Sequence, residues 1–258
     1  CLFLKKNLKK SKILSVDNLS KSYSKFNQKI LFKKKIPNKN IDLGKFNSLD
    51  NLKFKADIII DCSAEPAVEI SRKKINKVIK SNLLSTFNIL EKAEKDKSKI
   101  IFISSSRVYP IKRSYEKFKT FKRFKKHQTF NENLNLNGQK TIYGFTKFAS
   151  ENLIEEYNYS KNLNYIINRC GLISGPGQYG KVEQGLISLW MWNHMNKRKL
   201  SYIGYKGTGD QIRDVLFIDD FCRLVLKQTQ NFNRFRNNLF CIGGGAKNAI
   251  NLKRLTFM

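Results

Sequence analysis

The sequence predicts an α/β fold built on a mostly parallel sheet, and three observations carry that prediction. Short uninterrupted apolar runs occur within 57–61, at 100–103 and at 165–167. Helix-period segments separate them, and three serines (Ser104, Ser105 and Ser106) follow the second run directly. A strand covered on both faces reads as a continuous apolar run rather than an alternating one. Such strands alternating with long helices define βαβ units.

In chain order, 11–17 reads as a short strand, with Asp17-Asn18 opening a turn. The lysine-rich stretch 21–55 has no pattern that assigns an element. A strand at 57–61 follows, with Pro66 helping to end it. A helix at about 75–95 carries Val78, Ile79, Leu83, Phe87, Ile89 and Leu90 at the helical period. After the strand at 100–103, the segment 110–139 is a long basic connection. Its part 117–126 interleaves phenylalanines with lysines, and a solvated surface insertion is preferred there to an RNA- or membrane-facing patch. A second helix runs over about 143–159, ahead of the strand opening at 165. Beyond Asn168 the texture changes to a glycine-rich loop (Gly171, Gly175, Gly177, Gly180), an apolar helix at 185–195 and the segments 210–220 and 240–245. That texture predicts a smaller, loop-rich carboxyl-terminal lobe.

A chain of 258 residues with 41% hydrophobic and 27% charged residues is long enough and mixed enough for one substantial core with a smaller lobe. No apolar run can span a bilayer, because Asp61, Glu65 and Glu69 interrupt the best candidate; no membrane partner is expected. The net charge of +30 would draw polyanions. The lysines, however, are spread along the whole chain and not gathered in one arm, so nucleic acid is not the expected partner. The cysteines stand singly, and Cys62, Cys170 and Cys222 read as small buried hydrophobes, which points to cytoplasmic residence. With only His127 and His194 present, no His-rich metal site is expected. The first residues are too short an apolar stretch for a signal peptide and lack Met.

The chemistry centres on Tyr143-Gly144-Phe145-Thr146-Lys147. A Tyr and a Lys four apart share one helical face. A phenol is a poor base at neutral pH, and a nearby ammonium lowers its pKa. Hydroxyls at the carboxyl end of a neighbouring strand, Ser105 among them, lie where open α/β sheets hold ligands. The pattern suggests a phenol exchanging a proton with an alcohol or carbonyl, although a Tyr-x-x-x-Lys pair by itself is common on amphipathic helices. Hydride chemistry requires a carrier such as nicotinamide. The glycine-rich strand-to-helix turn that would cradle its pyrophosphate is absent near the amino terminus. Asp17 stands where a ribose-binding carboxylate would. Arg213 suits a diphosphate, with a surface or salt-bridged arginine equally open.

At this point the chain resembles a known family, the extended short-chain dehydrogenase/reductases that act as NAD-dependent sugar-nucleotide epimerases and dehydratases. The resemblance rests on 61–68, 104–109, 143–147, 168–171, 175–185 and Gln211-Ile212-Arg213-Asp214-Val215 with Ile218-Asp219-Asp220. Within the family the segment 177–185 is most similar to the CDP-paratose 2-epimerase (CDP-tyvelose epimerase) group. The resemblance implies a Rossmann-like, doubly wound, mostly parallel sheet lacking its first strand, with a small carboxyl-terminal substrate-binding lobe. The implied domains are 1–167 for NAD and 168–258 for the sugar nucleotide, with truncation at both ends. It further implies Tyr143 as catalytic base, with Lys147 and Ser105 beside it. Asp17, Ser63, Ala64, Asn82 and Lys147 would contact NAD, and Asn168, Gln184 and Arg213 the nucleotide sugar. A homodimer is an expectation by resemblance only.

Three departures qualify the resemblance. Leu2 and Lys5 fall at two of the family's glycine positions, Lys35 at an acidic one, and Phe217 where His is usual. Dehydratases commonly place an Asp-Glu pair after the Ser/Thr position. Ser106-Arg107 stand there, which disfavours elimination and makes 2-epimerisation the expectation. The rival readings are 4-epimerisation or dehydration on the same scaffold, and a non-catalytic remnant that binds nucleotide or polyanion.

Overall fold

The computed structural model describes residues 1–21, 23–66, 74–112, 114, 130–180, 185–202 and 207–257. Helix α1 (Leu2–Asn7) leads to β1 (Ser15–Asp17), α2 (Ser24–Lys33) and β2 (Asn38–Asn40). Strand β3 (Ile58–Asp61) precedes α3 (Ile75–Ile79), which continues through a π-helical segment, Lys80–Leu84, into α4 (Ser85–Asp96). Strand β4 (Lys99–Ser105) ends in a 3-10 turn, Ser106–Val108. Helix α5 (Ile142–Lys161), β5 (Tyr165–Cys170), β6 (Leu172–Ser174) and α6 (Leu186–Met195) follow. The chain closes with β7 (Ile212–Phe217), α7 (Ile218–Gln230), α8 (Phe232–Phe235), β8 (Asn238–Ile242), β9 (Ala249–Asn251) and α9 (Leu252–Thr256).

The main sheet is parallel, in the order β3-β4-β5-β8. The apolar runs build it because alternate residues find partners on both faces. Ile100, Phe102 and Ile167 pack with Ile89, Leu90, Ala93 and Ile154 of α4 and α5. Ile101 and Ile166 turn to the other face, against Phe232 of α8. Cys170 joins Phe221 and Val225 of α7 on that face. Helices on both faces make the fold the expected Rossmann-like α/β architecture, and a smaller sheet, β6-β7-β9, forms the carboxyl-terminal lobe.

Several details differ from the sequence reading. The stretch 21–55 holds α2 and β2, whose amphipathic signal the lysines mask. Among the described residues, β1 and β2 pair with each other alone and form a separate parallel ladder. The first strand begins at Ser15, not at 11, and β3 stops at Asp61, well before Pro66. Strand β8 returns from the later part of the chain to the main sheet. Cys62, expected to be buried, is exposed, whereas Cys170 is buried.

The two lobes are joined through Asp214 of β7. A Cβ at Gly243 would lie 1.9 Å from Asp214 Oδ2, and one at Gly171 would lie 3.1 Å from Oδ1. The carboxyl group thus occupies space that any side chain would fill. At the neighbouring Gly244 a Cβ would lie 1.9 Å from Val215 O, a backbone atom that cannot swing aside. Gly244→Ala is therefore expected to destabilise the protein by about 1–3 kcal/mol through overpacking, read as a lowered melting temperature.

Candidate active site

The carboxyl ends of the parallel strands deliver the polar groups. Asp17 is the last residue of β1, Asp61 of β3 and Ser105 of β4. This is the edge at which open α/β sheets hold their ligands. Helix α5 crosses that edge with Tyr143, Gly144, Thr146, Lys147, Ser150, Glu151 and Ile154 on its buried face. Thr141 caps the helix, its Oγ1 accepting from the Gly144 amide at 3.0 Å.

Tyr143 is buried beside the Ser105 hydroxyl. Burial raises the phenol above its ordinary pKa of 10.0, while the neighbouring Ser105 hydroxyl and the Arg107 charge pull it down. Lys147 is 2% exposed. Its Nζ donates to Ile103 O at 2.9 Å and to Ser63 O at 3.3 Å, and stands 4.3 Å over the Phe102 ring. Burial lowers its pKa, countered by the Asp61 and Glu151 carboxylates. The direct action of the ammonium on the phenol that the sequence predicts is not the arrangement found. A buried ammonium needs acceptors, and one carbonyl within β4 and one in the loop after β3 supply them.

The loop after β3 is tied down from several sides. Ser63 Oγ donates to Asp61 Oδ1 at 2.6 Å and lies 3.1 Å from Ser85 Oγ. Ala64 follows, half-buried. Asn82, fully buried in the π-helical segment, accepts from the Glu65 amide at 2.7 Å and donates to Thr146 Oγ1 at 2.9 Å. The local widening of the helix places Asn82 between the loop and α5, one turn from Tyr143 and Lys147. Asp17 is exposed, with Oδ1 accepting from the Leu19 amide at 2.6 Å.

The residues expected at the sugar nucleotide are more dispersed. Asn168 is 0% exposed and exchanges both amide hydrogen bonds with Gln228 of α7, at 2.8 and 2.9 Å. It turns to the helix side of β5. Arg213, half-buried in β7, donates from Nη1 to Ile212 O at 2.6 Å. Gln184 lies outside the described residues, as do most of the basic insertion and His127. Among the described residues no group of three metal-binding side chains gathers, and no helix is long and apolar enough to cross a membrane.

Sequence reasoning missed three features. Glu151 is 1% exposed and paired with Arg169 of β5. Its place four residues beyond Lys147 on the same helical face was the available signal. Glu65 accepts from Lys21 at 2.7 Å and from Lys77 at 3.0 Å. Tyr23 stacks on Tyr179 of the glycine-rich loop, with centroids 4.7 Å apart and planes at 16°. No local pattern announces such a long-range pair.

The Glu65 cluster predicts a pH dependence. Burial raises the carboxyl's pKa, but the bonds and charges of Lys21 and Lys77 outweigh it and hold the group below 4.5. A pKa depressed on folding adds stability above the unfolded value and loses it as pH falls through the folded one. Melting temperatures of the wild type and Glu65→Gln are therefore expected to differ at pH 7. They should converge as pH falls well below the ordinary carboxylate range.

The chain belongs to the NAD dependent epimerase/dehydratase family, whose model matches residues 3–243. It is 30% identical over 228 residues to the dTDP-D-glucose 4,6-dehydratase of Dictyostelium discoideum, covering 85% of this chain and 49% of that protein. It is 28% identical over 185 residues to the CDP-paratose 2-epimerase of Salmonella typhi, covering 67% of this chain and 53% of that protein. The chain thus spans about half the length of these curated relatives. Among solved structures, Pal from Bacillus thuringiensis superposes with a TM-score of 0.80 at 20% identity, covering 98% of this chain and 76% of that one. The UDP-glucuronic acid 4-epimerase of Bacillus cereus, in complex with UDP-glucuronic acid and NAD, superposes with a TM-score of 0.79 at 20% identity and the same coverage. These likenesses establish the fold.

Proposed function

We propose that this chain carries out NAD-dependent chemistry on a nucleotide-linked sugar, with Tyr143 exchanging a proton with a sugar hydroxyl. The observation that supports it best is the buried Tyr143 phenol standing beside the Ser105 hydroxyl at the carboxyl end of β4. NAD, when bound, supplies a place to keep a hydride between its removal from a sugar carbon and its return.

The donor set suits a dinucleotide at its two ribose ends. The exposed Asp17 carboxylate is an acceptor for ribose hydroxyls at the end of β1. The Lys147 ammonium, bonded to the Ser63 carbonyl, is a donor beside Tyr143. Ser63 and Ala64 would line the path between them, with Asn82 fixing that loop. Arg213, and Gln184 beyond the described residues, would serve the sugar nucleotide. Asn168 would act by holding β5 against Gln228.

Relatives that act at different positions share this framework. Three 4,6-dehydratases and a putative 4-epimerase stand among the matched relatives beside one CDP-paratose 2-epimerase, and the first dehydratase matches more of the chain, so chemistry at C4 is favoured over C2. Ser106-Arg107 bring a cation and no carboxylate to Tyr143, which supports epimerisation over elimination.

The test is calorimetry with NAD, followed by incubation with UDP-, dTDP- and CDP-hexoses. Binding at micromolar concentrations with product epimers is expected. Absence of NAD binding would defeat the reading for this chain. The rival, a polyanion-binding remnant, draws support from the +30 charge and from Leu2 and Lys5 within α1. It predicts affinity that falls steeply with salt and survives loss of Tyr143.

A further inference from the structure

We infer that Glu151 is a positioning residue, whose carboxylate clamps the helix bearing Tyr143 and Lys147 to the strand row bearing Ser105. This inference rests on the acid–base reading of Tyr143. Glu151 lies one turn beyond Lys147 and two beyond Tyr143, on the same buried face of α5. Its Oε1 accepts from Ser104 Oγ at 2.5 Å and from Arg169 Nε at 3.1 Å; its Oε2 accepts from Arg169 Nη2 at 2.8 Å. Ser104 and Arg169 are register partners across β4 and β5, and the next pair along is Ser105 with Cys170. One carboxylate therefore grips the helix and both strands, a single residue before the hydroxyl that stands beside Tyr143. Arg169 is itself held, with its guanidinium carbon 5.5 Å from the Tyr109 ring centroid.

A buried ion pair is an expensive way to gain stability. Well-packed apolar side chains of similar volume often do as well or better. What the pair provides here is direction. Short charge-assisted bonds fix where α5 sits along β4, and rotatable apolar contacts would not. A second effect follows from charge. The carboxylates that raise the Lys147 pKa against its burial are Asp61 at the end of β3 and Glu151 on its own helix. The nearby Cys62 and Cys170 thiols, themselves pushed up by desolvation, carry no charge near neutral pH. Removing the Glu151 charge lowers the pH at which the ammonium loses its proton.

Three variants test the inference. Ser104→Ala removes one grip and keeps the ion pair. Glu151→Gln removes the charge and keeps the shape. Glu151→Leu with Arg169→Met replaces the pair by apolar packing. If the clamp positions the site, Ser104→Ala lowers kcat by roughly 10-fold with KM little changed, since small misplacements cost heavily. Glu151→Gln also moves the basic limb of the kcat profile to lower pH. The double variant regains the wild-type melting temperature but not kcat. Wild-type kcat and pH profile in a stable double variant would overturn the inference.

A readout without turnover separates this from failure of the proposed function. With 3-fluorotyrosine at position 143 of the ligand-free chain, the fluorine resonance should shift in Ser104→Ala and Glu151→Gln. An unchanged resonance in both would overturn the clamp, whatever the chain does with sugar nucleotides.

Discussion

Tyr143→Phe is expected to lower turnover about 10³-fold while leaving the melting temperature and NAD affinity near wild type. The ring fills a buried place on α5, and Phe fills it equally well. What disappears is one oxygen, which stands beside Ser105 and is the titratable hydroxyl of the proposed site. The Ser105 hydroxyl accepts from the Arg107 amide at 3.2 Å, so it stays anchored in the variant. Single-turnover and steady-state rates with the same nucleotide sugar check the expectation. Turnover within about 10-fold of wild type would remove Tyr143 from the acid–base role.

The second large effect is expected at Gly144. A Cβ there would lie 2.1 Å from Arg107 O, inside the 3-10 turn that follows Ser105. The obstacle is backbone and cannot swing aside. Gly144→Ala must therefore lift the first turn of α5 away from the end of β4. The expected cost is about 1–3 kcal/mol of stability. Turnover falls further than stability, by roughly 10²-fold for a displacement near 1 Å between Tyr143 and Ser105. Thermal unfolding and kcat measured on the same preparation separate the two effects. A variant that melts and turns over like wild type would show that the two elements do not need this approach.

Much of this was legible in the chain, for physical reasons. The runs at 57–61 and 100–103 announce strands because parallel strands covered on both faces must be apolar throughout. Tyr143 and Lys147 declare a shared face through their spacing alone. Where Lys147 points was not legible, because that depends on carbonyls 44 and 84 residues away. Asn168 illustrates the same limit: its partner Gln228 is 60 residues on, and nothing local marks the pair. Helix α2 was hidden because lysines are interleaved with its apolar residues, and two of those four are exposed, Phe32 at 82% and Phe26 at 58%. The returning strand β8 was hidden because a crossover is a property of topology, not of composition.

The isolated ladder of β1 and β2 has a consequence for how the protein opens. Each strand has three residues, and among the described residues neither pairs with a strand of the central sheet. Two-stranded units are marginal on their own. Val16, Ile41 and Leu43 lean on the main core, and the Lys21–Glu65 pair joins the loop after β1 to the loop after β3. Amide protons at 15–17 and 38–40 should accordingly exchange with deuterium well before those of Ile101 and Ile167. The molecule then has one soft flank, and Asp17 rides on it. A ligand reaching from Asp17 to Lys147 would stiffen that flank as it docked, and slowed exchange there would report its arrival.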